Sequence, residues 1–267
     1  MPALIEPKAL FERLADPRLL VVCVTSATSY ANGHVPGAVL ATPGELVSGV
    51  APATGTLPSP ERLTALLDRI GYAPDLDVVA YDDEGGGWAG RFLWTLDVVG
   101  HREWSYLDGG IHAWRADGLP LETRPTVRAP TTNRLVLDSV PQADAAELLR
   151  RLDDPSLLVW DCRSREDFVG TKSGSRRAGH SPGAVSLDWL DLMDRSRGLR
   201  LRTDLATLLA RARIDPKRDV VTHCQTHHRS GLSYLVGRLL GFPRIRAYAG
   251  SWSEWGNRDD TPVATGA

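Results

Sequence analysis

The heptapeptide Gly33-His34-Val35-Pro36-Gly37-Ala38-Val39 returns 146 positions later as Gly179-His180-Ser181-Pro182-Gly183-Ala184-Val185. Other matches keep nearly the same spacing: residues 78–82 align with 220–224 at an offset of 142, and 109–114 with 250–255 at 141. A repeat this long means two related units set head to tail, not the many short units of a solenoid. The chain of 267 residues gives each unit an ordinary domain size. The polar stretch 124–134, with Pro125 and Pro130, has linker composition. The expected domains therefore cover 1–123 and 135–267.

Within each unit, short apolar runs alternate with helical periodicity, the pattern of a parallel α/β sheet flanked by helices. Leu157-Leu158-Val159-Trp160 and Val220-Val221 read as buried strands. Leu232, Leu235, Val236, Leu239 and Leu240 fall at the i, i+3, i+4, i+7, i+8 spacing of one helix face. Cys224 thus lies between a strand and a helix, where parallel α/β folds place ligands and where the helix offers unpaired N–H groups.

Composition narrows the function. Charged residues make up 24% of the chain, with 31 Lys+Arg against 33 Asp+Glu, so it lacks the basic balance of a nucleic-acid binder. No apolar stretch approaches the ~20 residues of a bilayer-spanning helix, and the N-terminus shows no signal-peptide pattern. A cytoplasmic protein is the expectation. Cys23, Cys162 and Cys224 form an odd, scattered set without a Cys-x-x-Cys pair, which argues against a disulfide framework.

The segment Cys224-Gln225-Thr226-His227-His228-Arg229-Ser230 gathers a thiol, two imidazoles and a guanidinium at a helix start. Each of these favours an anion. Thiolate pKa values fall well below ~8.5 beside cations and at helix N-termini, so Cys224 is expected to be ionised near neutrality and nucleophilic. Cys and His are also zinc ligands, but no second Cys/His cluster supplies the remaining positions, and no metal or other cofactor is expected. Cys23 and Cys162 lie in apolar strand patterns and read as core residues. The repeated His34 and His180 read as turn-fixing residues, and Trp255, like its partner Trp114, as core packing. Trp252 fits either packing or a cleft wall.

The repeated unit, the Gly-His-x-Pro-Gly-Ala-Val motif, the strand-Cys-loop-helix and the closing Ser251-Trp252-Ser253-Glu254-Trp255 resemble the tandem rhodanese sulfurtransferases over nearly the whole chain. The Gln-Thr-His-His-Arg loop is similar to that of a bacterial thiosulfate sulfurtransferase subgroup. The resemblance implies that Cys224 carries sulfur as a persulfide, and that Gln225, Thr226, His227, His228, Arg229 and Ser230 bind the substrate. It also implies that Asp161 and Arg163, in an Asp-x-Arg after a central strand, support the loop. Many family members carry an anion-binding Arg where this chain has Asp167, just before Phe168; Arg229 is the expected replacement.

In the first domain Asp82 stands at the cysteine position, and Cys23-Val24-Thr25 replaces Asp-x-Arg. A carboxylate cannot form a persulfide, so that domain reads as non-catalytic, its acidic loop walling the cleft. The resemblance implies a small-molecule donor, thiosulfate in preference to 3-mercaptopyruvate because the loop is cationic, and an acceptor such as cyanide, a small thiol or a protein thiol. A monomer is expected, with no nucleic-acid or membrane partner. Two other functions fit less well. A cysteine phosphatase uses a longer loop between Cys and Arg than the four residues found here, and a non-catalytic sensing or scaffold module has no need of the cationic loop.

Overall fold

The computed structural model describes residues 2–266. The first unit runs β1 (Ala3–Ile5), α1 (Pro7–Glu12), β2 (Leu19–Val24), α2 (Ala27–Ala31), β3 (Val39–Ala41), α3 (Pro60–Arg69), β4 (Asp77–Tyr81), α4 (Gly87–Val98), β5 (Trp104–Leu107) and α5 (Gly110–Ala116). The second repeats this plan. It comprises β6 (Gln142–Ala143), α6 (Ala145–Arg150), β7 (Leu157–Asp161), α7 (Arg165–Val169), β8 (Val185–Ser186), β9 (Met193–Asp194), β10 (Arg200–Leu201), α8 (Leu205–Arg211), β11 (Asp219–His223), α9 (Arg229–Leu239), β12 (Ile245–Tyr248) and α10 (Ser251–Trp255).

Two five-stranded sheets result, ordered β1-β5-β4-β2-β3 and β6-β12-β11-β7-β8, with all neighbours parallel. The second order is the first one repeated, as expected from the internal homology. β2, Leu-Leu-Val-Val-Cys-Val, is buried at every position because helices cover both faces of a parallel sheet. Side-chain oxygens cap the short helices: Ser26 accepts from the Ser29 amide, Asp144 from Glu147 and Ser164 from Asp167.

The segment 124–134, expected as the linker, contains no helix or strand and runs along the first domain. It is tied there by Arg128 Nη1 to the Leu19 carbonyl (3.0 Å), the Thr131 amide to the Asp68 carbonyl (3.1 Å) and the Asn133 amide to the Asp68 carboxylate (2.8 Å). The predicted helix face is α9, although the helix ends at Leu239; Leu240 caps it and is partly exposed.

One core crosses the domain boundary. A single apolar cluster includes Val22, Val78, Phe92 and Trp94 of the first unit together with Leu158, Val220, Leu232 and Leu235 of the second. Its centre is the pair α4–α9, helices whose residues are almost all buried. They touch at glycines: a Cβ on Gly90 would lie 2.3 Å from the Gly231 carbonyl oxygen, and one on Gly231 would lie 2.5 Å from the Arg91 nitrogen. Polar groups close the other end, where the Asp97 carboxylate accepts from the Tyr234 hydroxyl (2.7 Å) and pairs with Arg238. Gly231→Ala should therefore destabilise the protein by roughly 1–3 kcal/mol by overpacking the helix crossing. Gly44→Ala, whose Cβ meets open space, is the control; equal urea midpoints for the two variants would contradict this account.

Candidate active site

The loop after β11 turns around the sulfur of Cys224, which is fully buried. Its base is held by α10: the Cys224 carbonyl accepts from the Trp252 amide (3.0 Å) and the Gln225 carbonyl from the Ser253 amide (2.9 Å). At its far end α9 begins, and the Ser230 amide and hydroxyl face the sulfur. Burial opposes ionisation of the thiol. Arg229, the Ser230 N–H and His228 together outweigh it and hold the pKa below the ordinary cysteine value. The other cysteines go the opposite way: burial pushes Cys23 up to about 12 and Cys162 well above the usual range.

The equivalent loop of the first domain shows what such a turn holds. The Asp82 carboxylate, fully buried, accepts four backbone N–H groups, from Glu84 (3.2 Å), Gly85 (3.1 Å), Gly86 (2.8 Å) and Ala89 (2.9 Å). It is an anion built into the cradle where the second domain has its sulfur. Burial, then repulsion from Glu84, still push Asp82 up to about 6 against those hydrogen bonds.

Asp161 and Arg163 lie together, wholly buried. The guanidinium grips the carboxylate through Nε (2.9 Å) and Nη2 (2.6 Å), while Nη2 also reaches the Gly179 carbonyl (2.7 Å). The pair thus fastens the end of β7 to the repeated Gly-His-x-Pro-Gly turn. Asp161 also lies 3.6 Å from Nε2 of His223, the residue before Cys224. In the first domain Thr25 stands where Arg163 would be, beside a small cavity of about 200 Å³ lined by Cys23, Thr25 and Tyr81.

The rim of the loop is partly exposed. Gln225 Nε2 donates to the Ser175 hydroxyl (3.0 Å), and Arg229 Nη1 lies 3.5 Å from the Asp167 carboxylate. His228 stacks on Trp88 of the first domain with ring centroids 4.3 Å apart, and its Nε2 meets the Glu84 carboxylate. The segment before α3 also crosses over, and a Cβ on Gly55 would lie 2.2 Å from the Thr226 carbonyl oxygen. Arg91 of α4 fixes that segment by donating to the Leu46 (2.6 Å) and Gly55 (2.7 Å) carbonyls. Burial lowers Arg91 to about 9, so it remains charged at neutral pH. A groove of about 950 Å³ elsewhere between the domains includes no residue of the Cys224 loop. Its Arg151 and Arg246 are already paired with Glu147 and Asp219.

The rhodanese-like domain profile matches this chain twice, over residues 6–117 and 144–258. The chain belongs to the rhodanese family. It is 48% identical over 263 residues to the thiosulfate sulfurtransferases of Pseudomonas aeruginosa and Azotobacter vinelandii, covering 98% of this chain and 97% of each relative. A probable 3-mercaptopyruvate sulfurtransferase of Pseudomonas aeruginosa is 34% identical over 284 residues, 98% of each chain. Among solved structures, YnjE superposes with a TM-score of 0.86 at 24% identity, covering 99% of this chain and 68% of that one. The anaerobic ergothioneine biosynthesis enzyme of Chlorobium limicola superposes with a TM-score of 0.84 at 22% identity, covering 99% and 70%. At such identities these two show the fold alone.

The rhodanese loop brings Cys224, Gln225, Thr226, His228, Arg229 and Ser230 to one turn, but His227 differs from expectation. Its ring is fully buried, edge-on to Trp94 with centroids 4.6 Å apart, and its Nδ1 bonds the Ser230 hydroxyl (2.8 Å). Burial, with Arg91 nearby, pushes its pKa well below the histidine value, so it is neutral rather than a second cation. The first-domain loop lies against the second domain, as a cleft wall would. Asp82 is sealed inside its own cradle, its carboxylate taken up by backbone N–H groups, and Glu84 is the carboxylate that reaches the second domain. Sequence reasoning missed Trp88 and Arg91, and placed Glu84 only within an acidic loop. The run Gly85-Gly86-Gly87 just before Trp88 was the available signal, marking a loop that packs closely on something.

His34 and His180 stack on Tyr30 and Phe168 in the same way, both with centroids 3.7 Å apart, as turn-fixing residues do. Trp252 and Trp255 are core residues, and Trp252 lies under the Arg163 guanidinium at 4.3 Å. Among the described residues no group of three His, Cys, Asp or Glu could hold a metal ion, and no helix is long and apolar enough to cross a membrane.

Proposed function

We propose that this rhodanese is a thiosulfate sulfurtransferase that works through a persulfide on Cys224. The observation that carries the reading is the pair of equivalent cradles: one binds a buried carboxylate through four N–H groups, and the other surrounds a thiol whose pKa is lowered. Near-full-length identity of 48% to two thiosulfate sulfurtransferases supports the donor.

The thiolate of Cys224 attacks the outer sulfur of thiosulfate, the S–S bond breaks, and sulfite leaves with the bonding electrons. The product persulfide is again a monoanion, so the cradle stabilises both resting states and the charge developing between them. Cyanide or a thiolate then takes the outer sulfur and returns the Cys224 thiolate. Asp161 and Arg163 position the loop. Arg229 meets the sulfonate oxygens, while Gln225, Thr226, His228 and Ser230 shape the site. The first domain, non-catalytic because of Asp82, supplies one wall through Gly55, Glu84 and Trp88.

Intact mass spectrometry tests the intermediate. Thiosulfate should add one sulfur atom to the protein and cyanide should remove it; a chain that gains none overturns the proposal. Arg229→Ala should lower thiosulfate kcat/KM by about 10- to 150-fold, the scale of a lost hydrogen bond to a charged group (about 1.5–3 kcal/mol). Lysine should rescue only part, since a single ammonium cannot reproduce the fork of donors. Unchanged thiosulfate kinetics in Arg229→Ala would remove Arg229 from this role.

A further inference from the structure

We propose that Glu84, a carboxylate of the first domain, limits how strongly the Cys224 site takes dianionic sulfur donors, because it competes with them for His228. The inference rests on the sulfur-transfer reading above and concerns what sets its donor preference.

On its sequence the loop is a cluster of cations, but in the folded protein none of them is free. His227 is buried and neutral. Arg229 lies beside Asp167, a carboxylate of its own domain. His228 meets Glu84 across the domain interface. Both members of this last pair sit at the solvent boundary, their side chains 23% and 32% exposed, whereas the Cys224 sulfur is fully buried. The charge of His228 already bears on Cys224, so an anion bound against that sulfur lies within its reach. Such an anion must share His228 with Glu84 or displace it.

The contact is built into the backbone. Gly87 starts α4 between the two side chains, and a Cβ there would lie 2.9 Å from both Glu84 Oε1 and His228 Nε2. Any larger residue would push the pair apart. Trp88, the next residue, stacks on the imidazole and fixes its plane. Three features of one short first-domain segment, a carboxylate, a glycine and an indole, therefore act on one side chain of the catalytic loop. Glu84 is a positioning residue, because it acts on the donor through His228.

The test separates competition from simple bracing. If Glu84 only braced the interface, Glu84→Gln would leave thiosulfate transfer unchanged or weaken it. Competition predicts the opposite sign: kcat/KM for thiosulfate rises by roughly 1.5- to 5-fold, the range of a partly exposed ion pair. Product inhibition by sulfite, also a dianion, should tighten by a similar factor. 3-Mercaptopyruvate, with one fixed carboxylate, should gain less. High salt should shrink the thiosulfate gain because these charges are partly exposed. In a His228→Gln background the gain from Glu84→Gln should disappear, since the two residues act as a unit.

An unchanged or lower thiosulfate kcat/KM in Glu84→Gln, or a gain that persists without His228, overturns the proposal. Wild-type protein that takes no sulfur from thiosulfate would instead overturn the broader reading, so the two failures are distinguishable.

Discussion

Cys224→Ser is expected to lower thiosulfate–cyanide turnover by at least about 10³-fold while the protein stays folded, because serine keeps the shape but cannot carry the transferred sulfur. Cys23→Ser and Cys162→Ser should keep turnover. Burial alone does not separate the three, since all are buried; the surrounding charge does. Cys224 is held below the usual thiol pKa, while Cys23 and Cys162 are pushed up. The pH dependence follows. Between the folded and unfolded pKa values the folded Cys224 is ionised and the unfolded one is not, so iodoacetamide labelling of the native chain should persist to lower pH than labelling in urea. Turnover surviving in Cys224→Ser would reject the nucleophile. Labelling of native and unfolded chains with the same midpoint would reject the electrostatic account of its reactivity.

Asp161→Ala should have the largest effect on stability, about 3–5 kcal/mol, because it leaves the Arg163 guanidinium buried without its counter-charge. Both side chains are entirely inaccessible, and Arg163 would keep only the Gly179 carbonyl and the Trp252 ring. The Asp161 carboxyl lies below its usual pKa: burial raises it, and its charged neighbours more than offset that. Its contribution is therefore present above the unfolded carboxylate pKa and is lost as pH falls through the lower folded value. Urea denaturation of wild type and Asp161→Ala, compared at neutral pH, measures it. A difference under about 1 kcal/mol would show that the pair does not brace β7 against the Gly179 turn.

The two predictions bear on different parts of the sequence reading. The anion-favouring surroundings of Cys224 were legible because the thiol, the helix start and Arg229 lie within one short segment, where sequence neighbours are spatial neighbours. For Asp161 and Arg163 the expectation came from the family resemblance, and the contact between them is local, being two residues apart. His227 was misread because its position in that segment says nothing about which way its ring points; a left-handed backbone at φ 54° and the indole of Trp94 bury it.

The sequence by itself determined the duplication, the parallel α/β plan of each half and the position of Cys224 between strand and helix. All three rest on periodicity or on repeated motifs, which survive in one dimension. The tertiary structure decided that the two halves share a core through α4 and α9, and that each cation of the loop is already matched. The partners responsible lie far away in the chain: Glu84 and His228 are 144 positions apart, and Asp97 and Arg238 are 141 apart. A charge read from sequence is a formal charge. Its effect on a ligand depends on what the fold sets against it, because Coulomb interactions follow distance and burial, not chain order.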